Sequence, residues 1–270
     1  MINYSAIKLI VLDMDGTLLD DKKQIDTEIF PLLNHLKERH ILLTLASGRN
    51  IHIMKTYVEQ ISITLPVIAN NGATLYLNNK CIYKKNMLAD ELTYALSLLS
   101  EKNIPYVAYG NEGVYILGED KRIQFLLNRL LGKTNIYKVT LLSDIIVHNI
   151  FKVVVANEDT TYMSKVLSTI NTHCKHLHIF RSEGSLYTLT HTLVTKGETL
   201  KQILEMYNIR SEEVLAFGDN YNDVSLFRNV GISVAMNNAE DEVKSEANFI
   251  TKSNNEHGVS FFIKEYLLLD

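Results

Sequence analysis

Two pairs of aspartates, far apart in the chain, have the spacing of a carboxylate site. Asp13 and Asp15 stand in the segment DMDGTL, and Asp219 and Asp223 stand in the segment GDNYND. Bringing these carboxylates together without a cation is strongly unfavourable, because neighbouring negative charges disfavour ionisation. Neither segment contains histidine or cysteine, and hard carboxylate oxygens are the ligands that Mg²⁺ prefers. The pattern therefore predicts a Mg²⁺ site with carboxylates available for catalysis.

Each segment also has a simpler interpretation. The first could be a polar turn. An EF-hand calcium loop is rejected, because Thr17 and Leu18 occupy the positions that need a ligand and a glycine. The second could be a turn that caps a helix beginning at Asn222, with Asp223 favoured there by the helix dipole.

Two further segments contain residue types that hold phosphate. Ser47-Gly48-Arg49 lies between a predicted strand and a predicted helix, where a hydroxyl and free backbone N–H groups form an anion site. Lys196 opens another predicted helix, where its ammonium would hold phosphate and balance the acids. An ordinary helix cap and a surface lysine are the alternatives.

The elements around these segments predict how they come together. Short apolar runs, typical of buried strands, alternate with amphipathic runs of helical spacing. This rhythm predicts an α/β fold with a doubly wound parallel sheet, in which ligands bind at the carboxyl ends of the strands. The predicted strands are 8–12, 41–46, 66–69, 214–217, 232–235 and 249–250, and the predicted helices are 27–39, 51–60, 196–207, 222–228, 240–247 and 259–266.

The middle of the chain has a different rhythm, with strands in consecutive pairs. Paired strands favour an antiparallel sheet, so this block is predicted to be an α+β domain inserted into the parallel core. The altered rhythm begins with strands 73–77 and 81–84, which are predicted to form a hairpin closed by residues 78–80. The strands that follow are 105–109, 113–117, 151–156, 177–180 and 186–190, and the predicted helices are 88–102, 120–131 and 160–173. The expected domains are 1–83 with 189–270 for the core and 84–188 for the insert.

The bulk composition excludes several classes of protein. The chain has 270 residues, 46% of them hydrophobic, and a formal net charge of -4. Without a basic excess, neither nucleic acid nor an anionic membrane is an expected partner. Two distant cysteines, Cys81 and Cys174, offer no disulfide framework. With no signal-peptide pattern, a cytoplasmic protein is expected, as a monomer or weak homo-oligomer.

The order and spacing of the motifs resemble the haloacid dehalogenase (HAD) superfamily in its phosphatase branch. The resemblance rests on DMDGTL, Ser47 after the second strand, the Lys196-Gly197 pair and GDNYND. The segments NNGA at 70–73, VAMNNA at 234–239 and TKSN at 251–254 are similar to the Cof-type subfamily, whose cap domain is inserted between the second and third motifs.

The resemblance implies a role for each residue of the predicted site. Asp13 would be the nucleophile that forms an aspartyl-phosphate, and Asp15 would be the general acid and base. Mg²⁺ would bind Asp13, Asp219 and the backbone carbonyl of Asp15. Asp223 would orient Lys196 or a metal-bound water, with Asn71 in support. The groups that would hold the phosphate are the Met14 N–H, Ser47, Gly48, Lys196 and Asn222.

The implied function is a Mg²⁺-dependent phosphatase acting on small phosphate monoesters. Sugar phosphates are the leading substrate class, followed by nucleotides, flavin mononucleotide and pyridoxal phosphate. The cap would close over the site and contact the rest of the substrate. A phosphosugar mutase using the same intermediate is one alternative, and a non-catalytic, phospho-accepting signalling domain is another.

Some residues depart from the family pattern or stand outside it. The segment THTLVT before Lys196 lacks the proline or glycine often found there, and His257 stands where an acidic residue is frequent. His173, His176 and His178 lie in the predicted insert. They are interpreted as a solvated connector, with a transition-metal site as the alternative.

Overall fold

The computed structural model describes residues 6–110, 112–118, 122–124, 127, 135–183 and 185–267. The chain separates into two compact units, Met1–Tyr83 with Thr195–Asp270 and Lys84–Val194. The second junction therefore falls between Val194 and Thr195, not at the expected 188/189. A junction at 188/189 would cut the strand Leu186–His191, which pairs within the second unit.

The described residues form fourteen strands, numbered in chain order. They are β1 Leu9–Leu12, β2 Leu42–Leu45, β3 Val67–Ala69, β4 Thr74–Leu77, β5 Lys80–Lys84, β6 Tyr106–Tyr109, β7 Val114–Leu117, β8 Ile136–Val139, β9 Lys152–Ala156, β10 Leu177–Glu183, β11 Leu186–His191, β12 Val214–Gly218, β13 Ile232–Ala235 and β14 Phe249–Ile250.

The α-helices are numbered in the same way. They are α1 Ile29–Glu38, α2 Ile51–Gln60, α3 Ala89–Glu101, α4 Leu142–Ile146, α5 Thr160–His173, α6 Lys196–Tyr207, α7 Val224–Phe227, α8 Asp241–Ser245 and α9 Gly258–Phe262. Short 3₁₀ turns cover Asn70–Gly72, Ser211–Glu213, Tyr221–Asp223 and Asn254–Glu256, and a π turn covers Ile263–Leu267.

The first unit is built on a parallel sheet in the order β14-β13-β12-β1-β2. Strand β1, which lies between β12 and β2, is buried on both faces, as its unbroken apolar run requires. Ile10 and Leu12 join a core with Ile29 of α1, while Leu9 and Val11 join a second core with helix α6. The predicted α/β class with a doubly wound core is confirmed.

Strand β3 departs from the predicted parallel sheet. It pairs antiparallel with β4 in a separate three-stranded sheet, β3-β4-β5. A single parallel bridge between Ala46 and Ile68 joins it to the end of β2. The predicted hairpin is present, and Asn78 and Asn79 both adopt the positive φ that its tight turn needs.

The second unit contains a six-stranded sheet in the order β10-β11-β9-β6-β7-β8. Its neighbouring strands run antiparallel, except β7 and β8, which run parallel. Strand β8 and helix α4 are absent from the sequence prediction. Within the predicted helix 120–131, residues 122–124 and 127 are helical, and the others lie outside the described residues.

No described helix is both long and apolar enough to cross a bilayer.

Candidate active site

The turn after β1 places Asp13 in the interior of the first unit. Asp13 is 5% exposed, and its N–H donates to the carbonyl of Phe217 at the end of β12. Gly16 follows with φ +80°, and a Cβ there would lie 2.2 Å from an oxygen of Asp219. Only glycine at this position allows the Asp219 carboxylate to approach the turn so closely. The two aspartate motifs therefore meet where parallel strands end.

Lys196 supplies the cation at the centre of this group. Its side chain is fully buried at the start of α6, and its Nζ lies 2.5 Å from Asp13 Oδ1 and 2.6 Å from Asp223 Oδ1. Helix α6 begins here because the Thr195 hydroxyl accepts the N–H of Glu198. An interior ammonium is tolerated only when paired in this way.

Asp223 organises the loop that carries Asp219. Its second oxygen, Oδ2, accepts the N–H groups of Asp219 and Asn220, each at 3.1 Å. Asp219 itself accepts a 3.0 Å hydrogen bond from the Thr17 hydroxyl. Asp223 thus links the loop backbone to Lys196, in agreement with an orienting role.

The charges of this group do not balance. Carboxylate oxygens of Asp13, Asp219 and Asp223 lie within 4.8 Å of one another, against the single ammonium of Lys196. Burial, followed by the charge of Asp223, raises the pKa of Asp13 well above its usual value, against the opposing effect of Lys196. Burial and Asp223 also raise the pKa of Asp219 to about 6. A hard divalent cation would relieve this excess, so the donor set fits Mg²⁺.

Asp15 faces a different set of partners. Arg49 donates to both of its oxygens at 2.6 Å, and Lys23 Nζ lies 2.7 Å from Oδ1. Partial burial raises the pKa of Asp15, but the hydrogen bonds from Arg49 and Lys23 outweigh it and lower the pKa overall. Sequence reasoning assigned neither cation a role. The position of Arg49 directly after Ser47 and Gly48 could have indicated a role at the site, whereas nothing in the sequence around Lys23 indicates one.

The loop after β2 presents Ser47 to the same edge of the sheet. Ser47 is 1% exposed, and its oxygen accepts the N–H of Arg49 at 3.1 Å. Because that bond uses a lone pair, the hydroxyl proton is available for an anion. The Met14 side chain packs in the apolar core. The predicted phosphate contact uses only its backbone N–H, so it is compatible with this packing.

The turn Asn70–Gly72 connects the remaining predicted residues. Asn71 has φ 58° and donates its N–H to the Ser47 carbonyl. Its side-chain oxygen accepts from Asn222 Nδ2 at 2.9 Å, and a Cβ on Gly48 would lie 2.8 Å from that oxygen. The buried Asn222 Oδ1 has no hydrogen-bond partner in the described part of the chain. Asn71 thus braces the loops of Gly48 and Asn222.

The three histidines at positions 173, 176 and 178 have separate contacts. His173 stacks on Tyr94, with ring centroids 4.6 Å apart, and its Nδ1 lies 2.9 Å from the tyrosine hydroxyl. His176 lies 3.1 Å from Glu91, while His178 lies against Phe180. Among the described residues, the acidic group around Asp13 is the cluster with metal-ligand geometry.

Known proteins with similar sequences match this chain over nearly its full length. YxeH of Bacillus subtilis, named as a phosphatase, is 28% identical over 97% of this chain and 98% of its own. YwtE of the same organism, a 5-amino-6-(5-phospho-D-ribitylamino)uracil phosphatase, is 27% identical with the same coverage.

A solved structure extends the match to the fold. The haloacid dehalogenase-like hydrolase of Bacteroides thetaiotaomicron is 26% identical, with a TM-score of 0.81 over 96% of this chain and 98% of its own. The sequence model of haloacid dehalogenase-like hydrolases matches residues 10–263. The predicted resemblance is therefore confirmed, and the chain belongs to the haloacid dehalogenase-like hydrolase family.

Proposed function

We propose that the chain is a Mg²⁺-dependent phosphatase that hydrolyses small phosphate monoesters through an aspartyl-phosphate on Asp13. The observation that carries the proposal is the buried carboxylate of Asp13, held 2.5 Å from the Lys196 ammonium and beside Asp219. A buried carboxylate beside a fixed cation is both a nucleophile and part of a site that attracts phosphate.

The reaction follows as two displacements at phosphorus. An oxygen of Asp13 attacks the phosphoryl group, the bond to the ester oxygen breaks, and Asp15 supplies the proton that this oxygen takes up. Water then attacks the phosphorus of the aspartyl-phosphate, gives its proton to Asp15, and releases phosphate and the Asp13 carboxylate. The observed pairing of Asp15 with Arg49 favours the carboxylate, which is the form that accepts the proton from water.

The remaining groups hold the phosphoryl group in place. The Ser47 hydroxyl, the Lys196 ammonium and the Asn222 amide are donors around it, with the backbone N–H groups of Met14 and Gly48. Lys196 stays oriented because a second carboxylate, that of Asp223, holds its ammonium at 2.6 Å. Such fixed donors stabilise charge in the transition state without reorganising.

Mg²⁺ would be held by the carboxylates of Asp13 and Asp219 and the backbone carbonyl of Asp15. It would supply positive charge that offsets the transferring phosphoryl group. We assign Asp223 to Lys196, because one of its oxygens pairs with that ammonium and the other accepts two backbone N–H groups.

The proposed substrates are small phosphorylated metabolites, with sugar phosphates first. The relative YwtE is named for a substrate that carries its phosphate on a ribityl chain, which supports a phosphorylated polyol or sugar. The unit Lys84–Val194 is proposed as the domain that selects the substrate. A cytoplasmic location and a monomeric or weakly oligomeric state complete the proposal.

A phosphate-release screen over a panel of phosphorylated metabolites, with and without Mg²⁺, tests this function. Wild type should release phosphate only with the metal, and Asp13→Asn should lose more than about a thousandfold in activity, because the nucleophile is absent. If wild type releases phosphate from no ester, including a generic aryl phosphate, the function is wrong. If Asp13→Asn keeps full activity, the nucleophile is wrong. A bisphosphorylated sugar added to the assay identifies a mutase.

A further inference from the structure

The sheet of the second unit has one face packed on helices. Val153 and Val155 of β9 and Leu189 of β11 share an apolar core with residues of α3 and α5, including Leu96 and Met163. Successive residues of a strand point to opposite faces. The alternate positions of these strands therefore form a second face, which is outside that apolar core.

The register places a row of polar residues across this second face. Lys152 of β9 is directly opposite Tyr109 of β6, and Thr190 of β11 is directly opposite His178 of β10. Thr188 pairs with Val154, so the same register, continued two residues along each strand, sets Thr190 opposite Lys152. Directly opposed residues share a face. The row His178–Thr190–Lys152–Tyr109 thus crosses four adjacent strands.

Among the described residues, one member of the row lacks a hydrogen-bond partner and another lacks a counter-ion. Thr190 is 0% exposed, yet its hydroxyl makes no hydrogen bond there. The ammonium of Lys152 lies 5.2 Å from the centroid of the Tyr109 ring, and no described carboxylate forms an ion pair with it. Burial lowers the pKa of Lys152 to about 8. A buried hydroxyl normally has a partner, so Thr190, beside a half-buried ammonium that has no described counter-ion, indicates an acceptor that comes from outside the chain.

The chemistry of the row selects an anion. Lys152 is a cationic donor, Thr190 is a neutral donor, and no carboxylate stands in the row to repel negative charge. Tyr109 is 3% exposed, and its ring lies against the ammonium. An ammonium with a hydroxyl beside it suits a carboxylate or phosphate oxygen.

We propose that the row His178–Thr190–Lys152–Tyr109 binds an anionic group of a small molecule, with Lys152 and Thr190 as its donors. That group has two possible sources. It is either a second anionic group on the substrate, in which case the inference rests on the proposed function, or a separate small anion that binds this unit alone.

A matched pair of substrates distinguishes the sources. 6-Phospho-D-gluconate carries a carboxylate that D-glucose 6-phosphate lacks, and D-gluconate carries the carboxylate without the phosphate. For an anion on the substrate, Lys152→Met should raise the ratio of KM for 6-phosphogluconate to KM for glucose 6-phosphate about tenfold to a hundredfold, the range of a charged hydrogen bond. Lys165→Met, at an exposed position of α5, is the matched control and should leave the ratio unchanged.

A binding measurement covers the second source. Calorimetry measures the binding of D-gluconate to the full chain. If the binding is saturable in wild type and is lost in Lys152→Met while the KM ratio stays constant, the row binds a separate anion. If Lys152→Met changes neither the ratio nor the binding, the proposal is overturned. The binding arm needs no turnover, so it gives a result even if no phosphate ester is hydrolysed and the proposed function fails.

Thr190→Val separates a ligand site from a structural role. The two side chains have the same shape, and the hydroxyl makes no internal hydrogen bond. The variant should therefore melt at or above the wild-type temperature while its anion affinity falls several-fold. A lower melting temperature with unchanged anion affinity would show that the hydroxyl serves the fold, and would contradict the proposal.

Discussion

Asp219→Asn should stabilise the metal-free protein. The pKa of Asp219 rises from 3.8 to about 6 in the folded chain, because of burial and the charge of Asp223. At about 1.36 kcal/mol for each pH unit, a rise of about 2.2 units (6 less 3.8) costs about 3 kcal/mol when the carboxylate is ionised. Partial exposure of Asp219 lets solvent screen this cost, so about 2 kcal/mol is expected. Asparagine has the same shape and still accepts from Thr17.

The gain in stability should depend on pH with a defined sign. Because the folded-state pKa lies above the unfolded value, the folded protein binds more protons than the unfolded chain between about pH 4 and pH 6. The contribution of Asp219 to the stability of the metal-free wild type therefore falls as pH rises through this window, and the cost of its charge is fully present above it. The advantage of Asp219→Asn should be small at pH 4 and full at pH 8.

Urea unfolding in EDTA, and again with Mg²⁺, measures this prediction. Mg²⁺ at a hundred times its dissociation constant should add about 2.7 kcal/mol to wild type, and much less to Asp219→Asn. Asp241→Asn is the control, because its side chain is 99% exposed and its stability should change by less than about 0.5 kcal/mol. A metal-free Asp219→Asn no more stable than wild type at pH 8 would refute the assignment of excess charge to this site.

Two further substitutions test the packing around the carboxylates. Gly16→Ala should lower the free energy of unfolding by more than about 2 kcal/mol and abolish Mg²⁺ binding, since its Cβ would lie 2.2 Å from Asp219. The control Gly118→Ala, also at positive φ but with open space around it, should lose only about 1 kcal/mol. Equal losses of the two variants in urea unfolding would argue against the close approach of Asp219 to Gly16. Lys196→Met in EDTA should lower the free energy of unfolding by about 3–5 kcal/mol, because two buried carboxylates lose their cation. The control Lys201→Met, at a half-exposed position of the same helix, should change it by less than about 0.5 kcal/mol. A similar small loss at both sites would contradict the central role of Lys196.

The grouping of the candidate site residues was more predictable from the sequence than their detailed contacts. Motif order and parallel-strand logic placed Asp13, Ser47, Lys196 and Asp219 at one edge of the sheet, because a parallel sheet aligns the carboxyl ends of its strands. The bidentate pairing of Asp15 with Arg49 depends on side-chain direction, which residue spacing does not encode.

The missed elements have a related explanation. Strand β8 has the pattern IYKV with alternating exposed residues, so it lacks the continuous apolar run that revealed the other strands. For β3, a short apolar run gives no information on strand direction, which its hairpin with β4 decides. The boundary of the second unit was misplaced because the residue pattern of β11 predicts a strand but does not indicate which of the two units the strand belongs to.

The pairing of β1 with β12 has a consequence for synthesis. Leu9 aligns with Val214, so β1, which has β2 on its other side, gains its second partner only after the whole second unit has been synthesised. The second unit is one unbroken segment, and its contacts are complete as soon as it emerges. Contacts between distant residues form slowly, since long loops must close first. Asp13 is translated before the second unit, whereas Lys196 and Asp219, which lie beside it in the folded chain, are translated after that unit. The site can therefore form only after both of these later residues have emerged.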